Sequence, residues 1–151
     1  MNKISKSLLL IITIIVFGCD INKNISDIVI STYGSTKSHN VGKDCMACHI
    51  NGGEAGFGFT IAGSVYDSNL NIPYPNVLIT LFSDIEISDT PIEVIEVDGK
   101  GNFYSNIPID WQNGLFASVS SDTEIRNMNA PIFDGSCNSC HGLTSAYINV
   151  E

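Results

Sequence analysis

The chain has 151 residues, 44% of them hydrophobic, with 16 Asp and Glu against 7 Lys and Arg. That length excludes two large domains, and that apolar content can build a core without relying on disulfides alone. The formal net charge of −9 argues against nucleic acid as a partner.

In chain order, the first segment is MNKISKS, which carries Lys3 and Lys6, followed by the uncharged run LLLIITIIVFG. A basic start and a short apolar run read as an export signal, too short for a comfortable membrane span. The run closes on VFGC, a small residue before Cys19. This resembles a bacterial lipoprotein signal, in which the cysteine is lipidated. The resemblance implies loss of residues 1–18, a lipid on Cys19, and a protein anchored in the cell envelope, on its periplasmic or outer face. An ordinary secretory signal and an uncleaved anchor are the alternatives, and each also exports the chain. Losing residues 1–18 removes two lysines and no acid, moving the formal net charge from −9 to −11. Such a surface suits a basic protein partner, or serves solubility alone.

Residues 19–42 are rich in Ser, Asn, Thr and Lys and read as a flexible tether, with DIVIST as a short strand within it. Residues 43–56 hold the first of two cysteine motifs. Residues 57–127 have β character throughout. FTIAGSVYD alternates and stops at Asp67-Ser68-Asn69. PNVLITLFS follows a turn at Pro73 and Pro75 and puts Val77, Ile79 and Leu81 on one face. IEVIEVDGKGNFYS reads as a hairpin, with Ile92, Val94 or Ile95, and Val97 before a Gly-rich turn. GLFASVSS and TEIRNM supply two further strands. No long segment has helical periodicity. The expected fold is mainly β, a small antiparallel β-sandwich flanked by two cofactor-bearing loop segments, the second at 128–151. The run IAGSVYDSNLNIPYPNVLITLF together with DGKGNFY resembles the transthyretin-like, carboxypeptidase regulatory-like modules over roughly residues 57–121. Such modules are scaffolds, so the resemblance implies a fold and no activity.

The chemistry lies in DCMACHINGG and SCNSCHG, each a CxxCH motif. Two thiols separated by two residues can form thioethers with the two vinyl groups of one porphyrin. The following histidine then lies under the ring and can bind iron. The chain has five cysteines and three histidines. With Cys19 assigned to lipid, the other four fall into the two motifs. The pair resembles the attachment sites of multihaem c-type cytochromes, which implies two covalent haems on Cys45, Cys48, His49 and on Cys137, Cys140, His141. A single zinc site built from all four cysteines uses shorter spacers and leaves both histidines unexplained. A thioredoxin-like CxxC pair wants a βαβ context that is absent here.

For a second axial ligand, His39 and Met128 are the candidates. His39 stands six residues before Cys45 and Met128 nine before Cys137; their alternatives are a linker histidine and a core filler. The glycines of INGGEAGFGF permit close backbone approach to a flat cofactor. Phe57, Phe59, Trp111, Phe133 and Tyr147 are either haem shields or ordinary core. Asp44, Glu54 and Asp134 are either tuning charges or solvated surface.

The expected protein is therefore an exported dihaem c-type cytochrome, carrying single electrons between redox partners in the envelope or at the cell surface. Self-association through the sandwich is left open. The alternatives are a small haem enzyme of peroxidase or nitrogen-oxide reductase type, a haem-based sensor with one open iron, and a zinc-stabilised binding module.

Overall fold

The computed structural model describes residues 27–85 and 90–150, so the export signal and Cys19 lie outside the described residues. In chain order the strands are β1 (Ile61–Tyr66), β2 (Leu78–Phe82), β3 (Glu93–Glu96), β4 (Asn102–Ser105), β5 (Phe116–Ser120), β6 (Ile125–Asn127) and β7 (Ile148–Asn149). Two sheets result, ordered β4-β1-β7 and β3-β2-β5-β6. All pairs are antiparallel except β1 with β7. Helix among the described residues is confined to two 3-10 turns, Cys45–Ala47 and Cys137–Ser139. The chain is thus a mainly β, two-sheet sandwich, as its turn spacing and alternation imply.

Alternation sets which side chains enter the core. Val77, Ile79 and Leu81 are all buried, with Leu81 fully so. Along β3 and the residues flanking it the buried phase is Ile95 and Val97, while Ile92 and Val94 are exposed. These meet Ile61, Val65 and Phe103 from the other sheet. Each such fully buried aliphatic side chain contributes about 1.5–3 kcal/mol relative to exposure.

Residues 92–104 do not form the expected hairpin. β3 and β4 belong to different sheets, because β2 takes β3 and β1 takes β4 as ladder partners. The turn between them is a corner, tightened by Asp98, whose Oδ1 accepts from the amides of Lys100 (2.9 Å) and Asn102 (3.0 Å). Ser31 bridges β3 and β4. Its Oγ donates to the Glu96 carbonyl at 2.5 Å and its amide donates to the Tyr104 carbonyl at 2.9 Å.

Of the expected tether, residues 19–26 lie outside the described residues, and the same contacts correct the described part. Residues 27–42 lie against the sandwich and do not hang free. Ser31 and Ser38 are buried, and the Ser38 hydroxyl accepts from Asn102 Nδ2 at 2.9 Å. Two hydroxyls that find buried partners hold a polar segment that composition alone marks as linker.

β1 positions both cysteine motifs. Its inner face carries Ile61 and Val65; its outer face carries Ala62, Ser64 and Tyr66, beside Asn102 and Tyr104 of β4. One edge of β1 pairs with β4. The other edge is shared: Ala62 bridges Ser136, and Val65 and Tyr66 pair with Ile148 and Asn149. Residues 137–147 are therefore an excursion between two pairings to one strand edge. The segment 128–151, expected beside the sandwich, is partly built into it.

Candidate functional site

The two CxxCH motifs fold alike. Asp44 caps the first turn, its Oδ1 accepting from the Met46 amide at 3.1 Å. The Cys45 carbonyl accepts from the amides of Cys48 (3.3 Å) and His49 (3.0 Å). In the second turn the Cys137 carbonyl accepts from Cys140 (3.3 Å) and His141 (2.9 Å). Each turn thus curls its histidine back beside its first cysteine.

The turns also touch. Ser136, the residue before Cys137, donates its hydroxyl to Oδ1 of Asp44, the residue before Cys45, at 2.8 Å. Asn138, inside the second motif, is buried and ties three segments together. Its Nδ2 donates to the Lys43 carbonyl (2.9 Å) and to Ser64 Oγ (3.1 Å), and its Oδ1 accepts from the Ser64 amide (3.1 Å). Ser64 Oγ in turn donates to Asn102 (2.6 Å) and accepts from the Gly42 amide (2.9 Å). A closed, buried polar network of this kind rigidifies what it joins. Motifs about ninety residues apart in sequence become one base anchored on β1.

Close backbone contact makes this possible at Gly135. A Cβ there would strike the Thr60 carbonyl and the Ile61 backbone, so only glycine lets residues 135–136 lie along β1. Gly53 serves the first loop in the same way, because a Cβ there would strike the Cys48 carbonyl. The glycine thus packs on the motif itself, where its sequence context points to a cofactor.

All four thiols are free, with Cys45 and Cys137 half-buried and Cys48 and Cys140 exposed. Burial, and then the Asp134 carboxylate, push the Cys137 thiol up to about 12. Burial and Asp44 also raise Cys45. Among the described residues no three His, Cys, Asp or Glu side chains gather as a metal-binding group.

The two histidines differ in support. His141 donates from Nδ1 to the Ala146 carbonyl at 2.6 Å, because a carbonyl can only accept. That fixes the tautomer and leaves Nε2 with a free lone pair, the arrangement that favours metal ligation. His49 has a buried Nδ1 with no hydrogen-bond partner. Burial first, and His39 second, hold its pKa below the ordinary value, while a polar contact with the Phe57 backbone acts in the opposite sense. Its ring stacks on Phe59 at 4.4 Å and 21° and lies 4.8 Å from Phe57. Phe59 stacks in turn on Tyr104 at 5.0 Å.

His39 lies 5.9 Å from the His49 ring, centroid to centroid. Its exposed side chain follows the buried Ser38. Met128 lies beside the second motif. Its amide donates to the Ala117 carbonyl at 2.8 Å. It lines a cavity of about 530 Å³ together with Cys137, Cys140 and His141. That volume lies within the range of about 300–1,000 Å³ typical of cofactor sites. Phe133 and Tyr147 line the same cavity, as does Asp134. Trp111 packs against the sandwich core.

Free paired thiols and a histidine with an uncommitted ring nitrogen fit covalent haem at each motif, and the cavity adjoins the second motif alone. Asn138, Ser64 and Ser136 were not marked by the sequence as part of the site. Asn138 occupies a spacer position of CxxCH, where residue type gives no signal; only its place against β1 gives it a role.

No protein-family model matches the chain, and neither a curated protein nor a solved structure matches it.

Proposed function

We propose that the protein is an exported dihaem c-type cytochrome that passes single electrons between redox partners of the cell envelope. Export and anchoring rest on the N-terminal sequence ending at Cys19. The observation that carries the reading is the pair of matching CxxCH turns, with four free thiols, joined base to base through Asp44 and Ser136.

Each residue then has a task. Cys45 and Cys48 would hold one haem by thioethers, and Cys137 and Cys140 would hold the other. Bound haem supplies one-electron exchange at iron, with a potential set by ligands and surroundings. His49 and His141 would each supply an iron ligand. The Ala146 carbonyl holds the proton of the neutral His141 ring on Nδ1, so Nε2 would be the nitrogen available to the iron. Phe57 and Phe59 pack against the His49 ring and restrict its orientation. His39 at the first motif and Met128 at the second are the candidates for a further iron ligand, and Met ligation would give the second haem the higher potential. The network around Ser64 and Asn138 fixes the two attachment turns relative to each other. An acidic surface favours a basic partner.

Visible and EPR spectra of the mature protein test this. Two low-spin, six-coordinate haems are expected. A persistent high-spin haem would instead favour an open iron and the catalytic or sensing alternative.

A further inference from the structure

The cavity beside the second motif holds one permanent positive charge. Arg126, on β6, is the sole arginine of the chain and, among the described residues, the only Lys or Arg lining that cavity. Its guanidinium spans from one sheet to the other. Nε donates to Glu124 Oε1 at 2.8 Å, and a terminal nitrogen donates to Asn149 Oδ1 on β7. A guanidinium carries five N–H donors in a fixed fork, so these two bonds leave part of the fork unengaged. The cavity wall is otherwise strongly apolar, with Ile61, Ile79, Phe103, Val119 and Ile132. Among the described residues the one side-chain carboxylate in the lining is that of Asp134.

An apolar wall with a cation at its margin suits a flat ligand that is apolar over its faces and anionic at one edge. A carboxylate entering such a cavity unpaired would be costly, and a guanidinium fork is the group that pairs it best. Resting on the dihaem reading, we infer that Arg126 is the anchor for a propionate carboxylate of the haem attached at Cys137 and Cys140. Glu124 and Asn149 hold the guanidinium in place for that contact. A fixed cation beside the ring disfavours the oxidised, more positive state, so Arg126 raises the potential of this haem.

Redox titration of mature R126Q tests the anchor, with intact mass confirming both haems. One of two titration steps is expected to move toward the oxidised form by roughly tenfold at fixed ambient potential, about 59 mV for one electron. The other step stays. Neither step moving, with both haems attached, overturns the inference and leaves the dihaem reading intact; a haem-free wild-type protein removes that reading itself. If R126Q fails to mature, R126K decides. It keeps the charge and loses the fork. The resonance Raman propionate-bending band of one haem is expected to shift, with little change in potential. An unmoved band in R126K overturns the inference.

Discussion

Ser136 Oγ and Asp44 Oδ1 are hydrogen-bonded at 2.8 Å, and each residue immediately precedes the first cysteine of a CxxCH motif. The same Asp44 oxygen also caps the first 3-10 turn through the Met46 amide. One carboxylate therefore shapes one attachment turn and joins it to the other. Asp44→Ala is expected to lower the stability of the mature protein by about 0.5–2 kcal/mol, the usual range for a lost cap. Ser136→Ala loses only the shared bond. Denaturant unfolding of both single variants and the double variant should give a coupling energy of about 0.5 kcal/mol or more. Strict additivity would mean that the contact does not join the turns.

Asn138 is the larger structural dependency. Asn138→Ala leaves the Ser64 amide without this partner in a buried setting and the Lys43 carbonyl without it in a half-buried one. Each buried group left unsatisfied costs about 1–3 kcal/mol. A clear fall in melting temperature is expected, together with altered spectra of both haems. A melting temperature equal to that of the parent would show that water replaces the amide without loss.

Gly135→Ala is expected to be costly although it adds one methyl group. Its Cβ meets backbone, at Thr60 and Ile61, which cannot swing aside. Overpacking of this kind costs about 1–3 kcal/mol, measurable by chemical denaturation. Gly34→Ala is the comparison for a loop glycine whose Cβ meets nothing; its remaining cost is that of the left-handed backbone.

His39→Ala and Met128→Ala should separate the two haems. Each substitution is expected to convert one haem to high spin and leave the other unchanged, read by low-temperature EPR. Met128→Ala should also lower one midpoint potential. If either variant leaves both haems low-spin, that residue is not a distal ligand.

In the haem-free chain, alkylation at controlled pH should rank the thiols. Cys48 and Cys140 are exposed and expected to react first. Burial and Asp134 raise Cys137 to about 12, so its thiolate is scarce at neutral pH and its rate should keep rising into strongly alkaline conditions. Site-resolved mass spectrometry measures this. A Cys137 rate equal to that of Cys140 at neutral pH would contradict the burial.

Much of the fold could be read from the chain because alternation and turn residues are local signals. Val77, Ile79 and Leu81 declare their common face through spacing alone. The corner at Asp98 to Gly101 could not be told from a hairpin, since the same Gly-rich turn serves both and only the ladder partners of β3 and β4 decide. Residues 27–42 look like linker because Ser31 and Ser38 acquire burial only from distant partners. The site divides in the same way. CxxCH is a contiguous pattern and is visible at once, whereas its shared base depends on Ser64, Asn102 and Asn138 meeting across the fold. The register of β1 against residues 135–136 brings them together, and no local pattern encodes it.

The central claim is most directly tested by the mass and the reduced pyridine haemochrome spectrum of the mature protein. The expected result is a mass increase of two haems, with a spectrum of the c type showing both vinyl groups saturated by thioethers. A mass increase of less than two haems, or a metal content of zinc alone, would contradict the account.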